Sequence, residues 1–347
     1  MNILKLLTLG TLAIILNACG GGNTAASDLF VIKFDGNKKQ LQQNQSTGIS
    51  ITNKKEKTIT KVTYSINGKE VILTDNKINL NLPKVGAKTL KAVIEYEGGS
   101  AEINKKFILF AKNRPALYTY TIINEYPHDI KAFTQGLEFH NDTLYEGTGK
   151  ISSLRQVDYK TGEIIKNIDL DKSIFGEGIT ILKDKLYQLT WQNKIGFIYD
   201  INKFEKIDRF AYGKSKEGWG LCNDGKVLYK SDGTEKIWTL NPDTLIEEDY
   251  IEIYTHNSKL IKINELEYVD GKIYANTWQP KKEVAVIINP SSGAVEGVIN
   301  FAGLKSKVTQ HKEVDVLNGI AYHPTRKTFF ITGKYWDKMF EVKIEKK

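Results

Sequence analysis

Apolar and polar residues alternate with a period of two in short runs along most of the chain, the pattern of half-buried β-strands. Val62, Tyr64 and Ile66 alternate up to Asn67-Gly68, a pair that favours a two-residue hairpin, and Val71 and Leu73 resume the pattern after it. Ala92, Ile94 and Tyr96 do the same before Gly98-Gly99. Residues 28–111 therefore predict a small β-sandwich of immunoglobulin-like type. No catalytic residue types cluster there, so a spacer or docking role is expected. Lys112-Asn113-Arg114-Pro115 reads as the linker to a second region.

From residue 118 the alternation itself repeats. Five phrases stand in order: QGLEFHNDTLY from Gln135, EGITILKDKLY from Glu177, WGLCNDGKVLY from Trp219, NELEYVDGKIY from Asn264 and NGIAYHPTRKTFF from Asn318. They recur roughly every 40 to 55 residues, and each leads to a second apolar phrase and a turn, such as QVDYKTG or IWTLNPDT. Several short strands at such a period predict propeller blades. The expected fold is all-β, a five-bladed β-propeller over 118–347 preceded by the sandwich. The run Tyr118 to Asn124 is expected to complete the last blade and close the ring. Helical repeats are excluded by the period of two inside each phrase, as at Ile179 and Ile181.

The first residues change the picture of where this chain works. Lys5 precedes an apolar stretch, Leu6 to Leu16, that is too short to span a bilayer. Leu16-Asn17-Ala18-Cys19 resembles the lipobox of bacterial lipoproteins. That resemblance implies a signal peptide over 1–18, lipidation of Cys19 and a tether over 19–27. It also implies an exported protein held to a membrane by its lipid alone. Gly20 is not the aspartate that retains such proteins at an inner membrane, so an outer-membrane address is expected. One cysteine then remains, Cys222, and no disulfide framework is available. The net charge of +8 is spread over scattered lysines, with no basic block to bind nucleic acid.

The candidate chemistry lies in the phrase openers. In four of the five phrases the second residue is glycine, whereas the opener varies: Gln135, Glu177, Trp219, Asn264 and Asn318. Rotation about a propeller axis gathers equivalent positions, so this is the pattern of one asymmetric site on a symmetric frame. Thirteen residues after that second position, a second ring holds Gly149, Trp191, Gly233 and Trp278, with Gly333 one further on and then Lys334 in the fifth copy. Glu177 is the lone acid among the openers. A carboxylate walled by tryptophan has a raised pKa and exchanges protons near neutrality. Lys334, Gln135 and the asparagines suit a polarised carbonyl. This inventory fits acyl transfer in which the nucleophile arrives with the substrate; neither a Ser-His-Asp set nor G-x-S-x-G is evident.

Two other readings fit the same residues. A non-catalytic propeller would use the tryptophans to hold a peptide or sugar. A glycoside-cleaving enzyme would need a second carboxylate, and Glu265 or Asp315 are the candidates. Asp315, Asp232 and Glu265 are also placed to line the channel and bind a cation, although no calcium loop is recognisable. The five histidines lack metal-ligand spacing and read as surface or structural.

YPHDIKAFTQGLEF, FGEGITIL, LTW, EGWGL, INELEY with NTW, LNGIAYHP and ITGKYW together resemble the plant-type glutaminyl-peptide cyclotransferases, or glutaminyl cyclases. The resemblance covers residue 118 to the end and leaves the sandwich unaccounted for. It implies a five-bladed propeller that turns N-terminal glutamine into pyroglutamate and ammonia. It implies Glu177 as proton shuttle, and Trp219, Gln135 and Lys334 as holders of the amide oxygen. Asn264 and Asn318 would position substrate, and Phe133, Phe175, Trp191 and Trp278 would form apolar walls. No metal or other cofactor is implied for catalysis, although some members carry a structural cation in the channel. The expected partner is a peptide, a protein N-terminus or free glutamine, and the expected state is a monomer.

Overall fold

The computed structural model describes residues 25–347. The expected signal peptide, the expected lipidation site Cys19 and the expected tether up to residue 24 lie outside the described residues. A single helical turn, Ala26–Leu29, opens the described chain and buries Leu29; it begins in the segment expected as tether and ends in the expected sandwich.

The next eighty residues form two sheets. One has three strands, Phe30–Phe34, Ser46–Asn53 and Lys77–Asn79. The other has five, ordered Gln40–Gln42, Gly99–Phe110, Gly86–Tyr96, Ile59–Ile66 and Lys69–Val71. Phe30, Ile32, Ile49 and Ile78 from the first share one core with Ile66, Leu90, Ile94 and Leu109 from the second. Ile66 pairs with Lys69 across Asn67 (φ 47°) and Gly68 (φ 83°), the two positive φ values that a primed hairpin turn demands. The strand after this turn stops at Val71, short of Leu73.

The repeating region forms three four-stranded antiparallel sheets and one of eight strands. The three begin with Phe133–His140, Gly176–Leu182 and Leu221–Asn223. The eight-stranded sheet has Ile263–Val269 at one edge and Leu317–His323 at the other. Its middle is the strand Ala116–Pro127, longer than the expected run from Tyr118 to Asn124. This strand pairs antiparallel with Lys338–Lys346 and parallel with Val295–Asn300, and so joins two repeat units into one sheet.

The first strands of the five units pack on one another in a closed circle, each against its two neighbours. Burial follows that order. Every residue of Gly176–Leu182 is buried, whereas the outermost strand Glu205–Ala211 buries only Phe210. In the first three units the glycine after the opener is required because the circle is tight. A Cβ on Gly136 would meet Gly178 Cα at 2.9 Å, and one on Gly178 would meet Gly220 Cα at 2.7 Å. Backbone lies against backbone there, and no side chain fits. In the fourth unit Glu265 replaces the glycine, and its Oε2 accepts the Ile320 N–H at 3.0 Å. Glu265 is thus a strut between strands rather than a second acid for a site.

Candidate functional site

Each opener stands where the ladder of its first strand breaks. Pairing loses register between Thr134 and Gly136, Gly176 and Ile179, Ile263 and Leu266, and Leu317 and Ile320. The residues passed over include Gln135, Glu177, Asn264 and Asn318; Trp219 precedes a strand that starts only at Leu221. A bulge frees a residue from the pleat and re-aims its side chain.

These breaks open onto a cavity of about 250 Å³. Its wall contains Gln135, Glu177, Trp219, Asn264 and Lys334 together with Phe133, Phe175, Trp191 and Trp278. Every expected site residue in the described chain lines it except Asn318. That side chain lies behind the wall, where Nδ2 donates to Gln135 Oε1 at 3.0 Å and to the Thr134 carbonyl at 2.9 Å. It meets Gln135 rather than the cavity because the two first strands are neighbours in the circle.

The glycines of the second ring make room for the aromatic wall. A Cβ on Gly149 would strike the ring of Phe175, and one on Gly233 would strike the indole of Trp219. Phe133 packs edge-on against Phe175, and Phe175 against Trp191, with centroids 5.9 and 5.7 Å apart.

Glu177 is buried, and its Oε2 has no hydrogen-bond partner among the described residues. Burial drives its carboxyl well above the usual range; Lys334 pulls it back, and Glu217 pushes it further up. Burial likewise brings the Lys334 ammonium down to about 8, against the pull of Glu177 and Asp315. Both groups shift toward their neutral forms, because a charge loses its hydration there. Asn264 Oδ1 is a second buried oxygen without a partner among the described residues.

The indole N–H of Trp219, expected to hold a substrate oxygen, is committed elsewhere in this structure. Trp219 Nε1 and Trp191 Nε1 both donate to Glu217 Oε2 at 2.8 Å, and Gln192 Nε2 donates to Glu217 Oε1 at 3.1 Å. Burial opposes ionisation of Glu217, yet these three donors hold it below the usual carboxylate range. Its loop is anchored from beneath. Buried Lys230 donates to the Glu217 carbonyl at 2.8 Å and to Glu247 Oε1 at 3.2 Å, while Glu247 Oε2 accepts the Ser215 N–H at 2.8 Å.

Sequence reasoning missed Glu217 and Lys150, and considered Asp315 only as a cation ligand or second acid; Lys150 and Asp315 line the cavity. A signal for Lys150 was present, since it follows Gly149 as Lys334 follows Gly333. Asp232 is engaged by Thr234 and Trp238 away from this wall. Among the described residues, no group of three or more His, Cys, Asp or Glu side chains could hold a metal ion. Cys222 is buried, and burial raises its thiol well above the ordinary value.

Comparison with known proteins sets this cavity in context. A family model described as glutamine cyclotransferase matches residues 91–344. The match begins inside the strand Gly86–Tyr96, within the N-terminal module. A glutaminyl-peptide cyclotransferase of Arabidopsis thaliana is 38% identical over 230 residues, which cover 65% of this chain and 71% of the relative. The crystal structure of Myxococcus xanthus glutaminyl cyclase superposes with a TM-score of 0.63 at 35% identity, covering 67% of this chain and 99% of that one.

Proposed function

The chain belongs to the glutamine cyclotransferase family, and on that premise we propose that its cavity converts N-terminal glutamine into pyroglutamate with release of ammonia. The observation that carries the reading is Glu177. Its buried oxygen without a partner among the described residues costs stability, and it lines the cavity with a raised pKa, as a group that relays protons to and from a bound substrate would.

The α-amine of the substrate attacks its own γ-carboxamide carbon. A C–N bond forms there and the bond to the carboxamide nitrogen breaks. Glu177 takes a proton from the attacking nitrogen and delivers one to the departing nitrogen, which leaves as ammonia. No water or cofactor is consumed. A raised pKa suits a group that must act as base and then as acid. Negative charge develops on the amide oxygen. Lys334 supports that charge, and Gln135 offers Nε2, because its Oε1 already accepts from Asn318. Asn264 Oδ1 is free to accept an N–H of the substrate. The aromatic walls exclude water and fold the substrate so that amine and carboxamide meet.

We read the five first strands as inner strands of five blades, supported by their closed circle of contacts. The two-sheet module over 28–111 is read as a separate immunoglobulin-like domain, supported by its own core. The test of function is ammonia release from a glutamine-initiated dipeptide by the purified protein, with chelator present and absent. Glu177→Gln is expected to lower kcat by about a hundredfold or more and to leave the melting temperature at or above that of the parent. Near-parental turnover by a folded Glu177→Gln protein would remove Glu177 from the mechanism.

A further inference from the structure

Lys150 lines the cavity, and none of the roles above uses it. Its place repeats that of Lys334, since each follows the second-ring glycine of its unit and the two units adjoin. The two ammonium groups flank one ring: Lys150 Nζ and Lys334 Nζ each stand 4.5 Å from the centroid of Phe133. Lys150 also stands 4.9 Å from the ring of Tyr335, which packs edge-on against Phe133 at 5.2 Å. Exposure separates the two lysines. Lys334 is buried, whereas Lys150 is exposed. Their charges sense one another, for Lys150 helps to lower the pKa of Lys334.

One cation therefore lies inside the cavity and one at its mouth. The rings hold Lys150 in place through cation–π contact, and no carboxylate among the described residues forms an ion pair with it. Asp315, the half-buried carboxylate of the wall, acts on Lys334 from within. In the cyclase reading, on which this inference rests, the amine and carboxamide of glutamine lie beside buried Glu177. The third substituent of the glutamine Cα, its carbonyl with any residues beyond it, then leaves through the mouth.

We propose that Lys150 is a specificity-determining residue that pairs with a carboxylate carried by the substrate next to its cyclising end. That carboxylate is either the α-carboxylate of free glutamine or the side chain of an acidic second residue. The uncharged counterpart loses the pairing but keeps every other contact.

The experiment compares kcat/KM for two substrate pairs, free glutamine against glutaminamide and Gln-Glu-amide against Gln-Gln-amide. It uses the parent protein, Lys150→Met, Lys150→Glu and, as a control of general charge, Lys262→Met. Lys262 stands 4.6 Å from the Trp278 ring but does not line the cavity. An exposed pair of this kind contributes roughly a two- to fivefold preference for the acidic member in the parent at low salt. Lys150→Met is expected to abolish that preference and Lys150→Glu to reverse it, while Lys262→Met retains it. A change confined to the first pair identifies the α-carboxylate as the partner, and one confined to the second identifies the side chain. Equal ratios in the parent and both Lys150 variants, or an equal loss in Lys262→Met, overturn the role of Lys150. Absence of ammonia release from all four substrates by the folded parent protein brings down the cyclase reading itself.

Discussion

Asn318 Nδ2 donates to Gln135 Oε1 at 3.0 Å, so a side chain outside the cavity decides which end of the Gln135 amide faces it. The donor belongs to the fifth unit and the acceptor to the first, and the contact closes the circle of openers. Asn318→Leu keeps the approximate volume and removes the donor. It leaves Gln135 Oε1 and the Thr134 carbonyl short of a partner, at a cost of about 1–3 kcal/mol. Loss of kcat/KM by roughly tenfold or more is expected, since removal of one donor to a developing oxyanion costs at least that much. Steady-state kinetics on a glutamine dipeptide, with a melting curve to show folding, checks this. Parental turnover would mean that Gln135 needs no orienting partner.

Glu217 couples the walls of the cavity to its acid. It accepts both indole N–H groups, of Trp191 and Trp219, and its charge raises the pKa of Glu177. Glu217→Gln removes that charge. Glu177 then ionises more readily, and the acid limb of kcat/KM moves to lower pH. The indoles lose charge-assisted hydrogen bonds, so the tryptophan emission spectrum changes as well. A pH–rate profile identical to the parent's would show that Glu217 acts on the walls alone.

Lys334 sets the alkaline side. Its ammonium supports the developing oxyanion only while protonated, and burial brings its pKa down to about 8. Activity is therefore expected to fall as pH rises through about 8. Lys334→Arg, whose guanidinium stays charged throughout, should lose that limb even if its rate is lower. An alkaline limb at the same pH in both proteins would assign it to another group, such as the substrate amine.

His128 carries a stability signal of opposite kind. Nδ1 faces the Trp336 carbonyl at 2.7 Å and Nε2 faces Glu146 Oε1 at 3.0 Å, in a buried site. Burial disfavours the imidazolium, but Glu146 and the Trp336 carbonyl outweigh it and raise the pKa. A raised pKa means that the stabilisation is complete below the unfolded value of about 6.5. It is lost as pH rises from there through the folded value. Urea midpoints at pH 6 and pH 9 should therefore show the gap between the parent and His128→Gln narrowing as pH rises. A gap independent of pH would mean that His128 is neutral in the folded protein.

The sequence by itself determined the elements and the inventory. Alternation with turn residues marked the strands, and the turn at Asn67-Gly68 arose from its own chemistry. The recurrence of five phrases assembled Gln135, Glu177, Trp219, Asn264, Trp191, Trp278 and Lys334 before any geometry, because repetition maps sequence position onto position around an axis. Tertiary structure alone decided what each group does to its neighbours. Ladder breaks turned Gln135, Glu177 and Asn264 to the cavity, and the tight circle placed Asn318 behind Gln135 and turned Glu265 into a strut. Glu217 took both indole N–H groups, and Lys150 came to share Phe133 with Lys334. The first of those relations join residues from different units, Asn318 with Gln135 and Glu265 with Ile320, 183 and 55 positions apart. They depend on ångström-scale approach and burial, which periodicity does not encode.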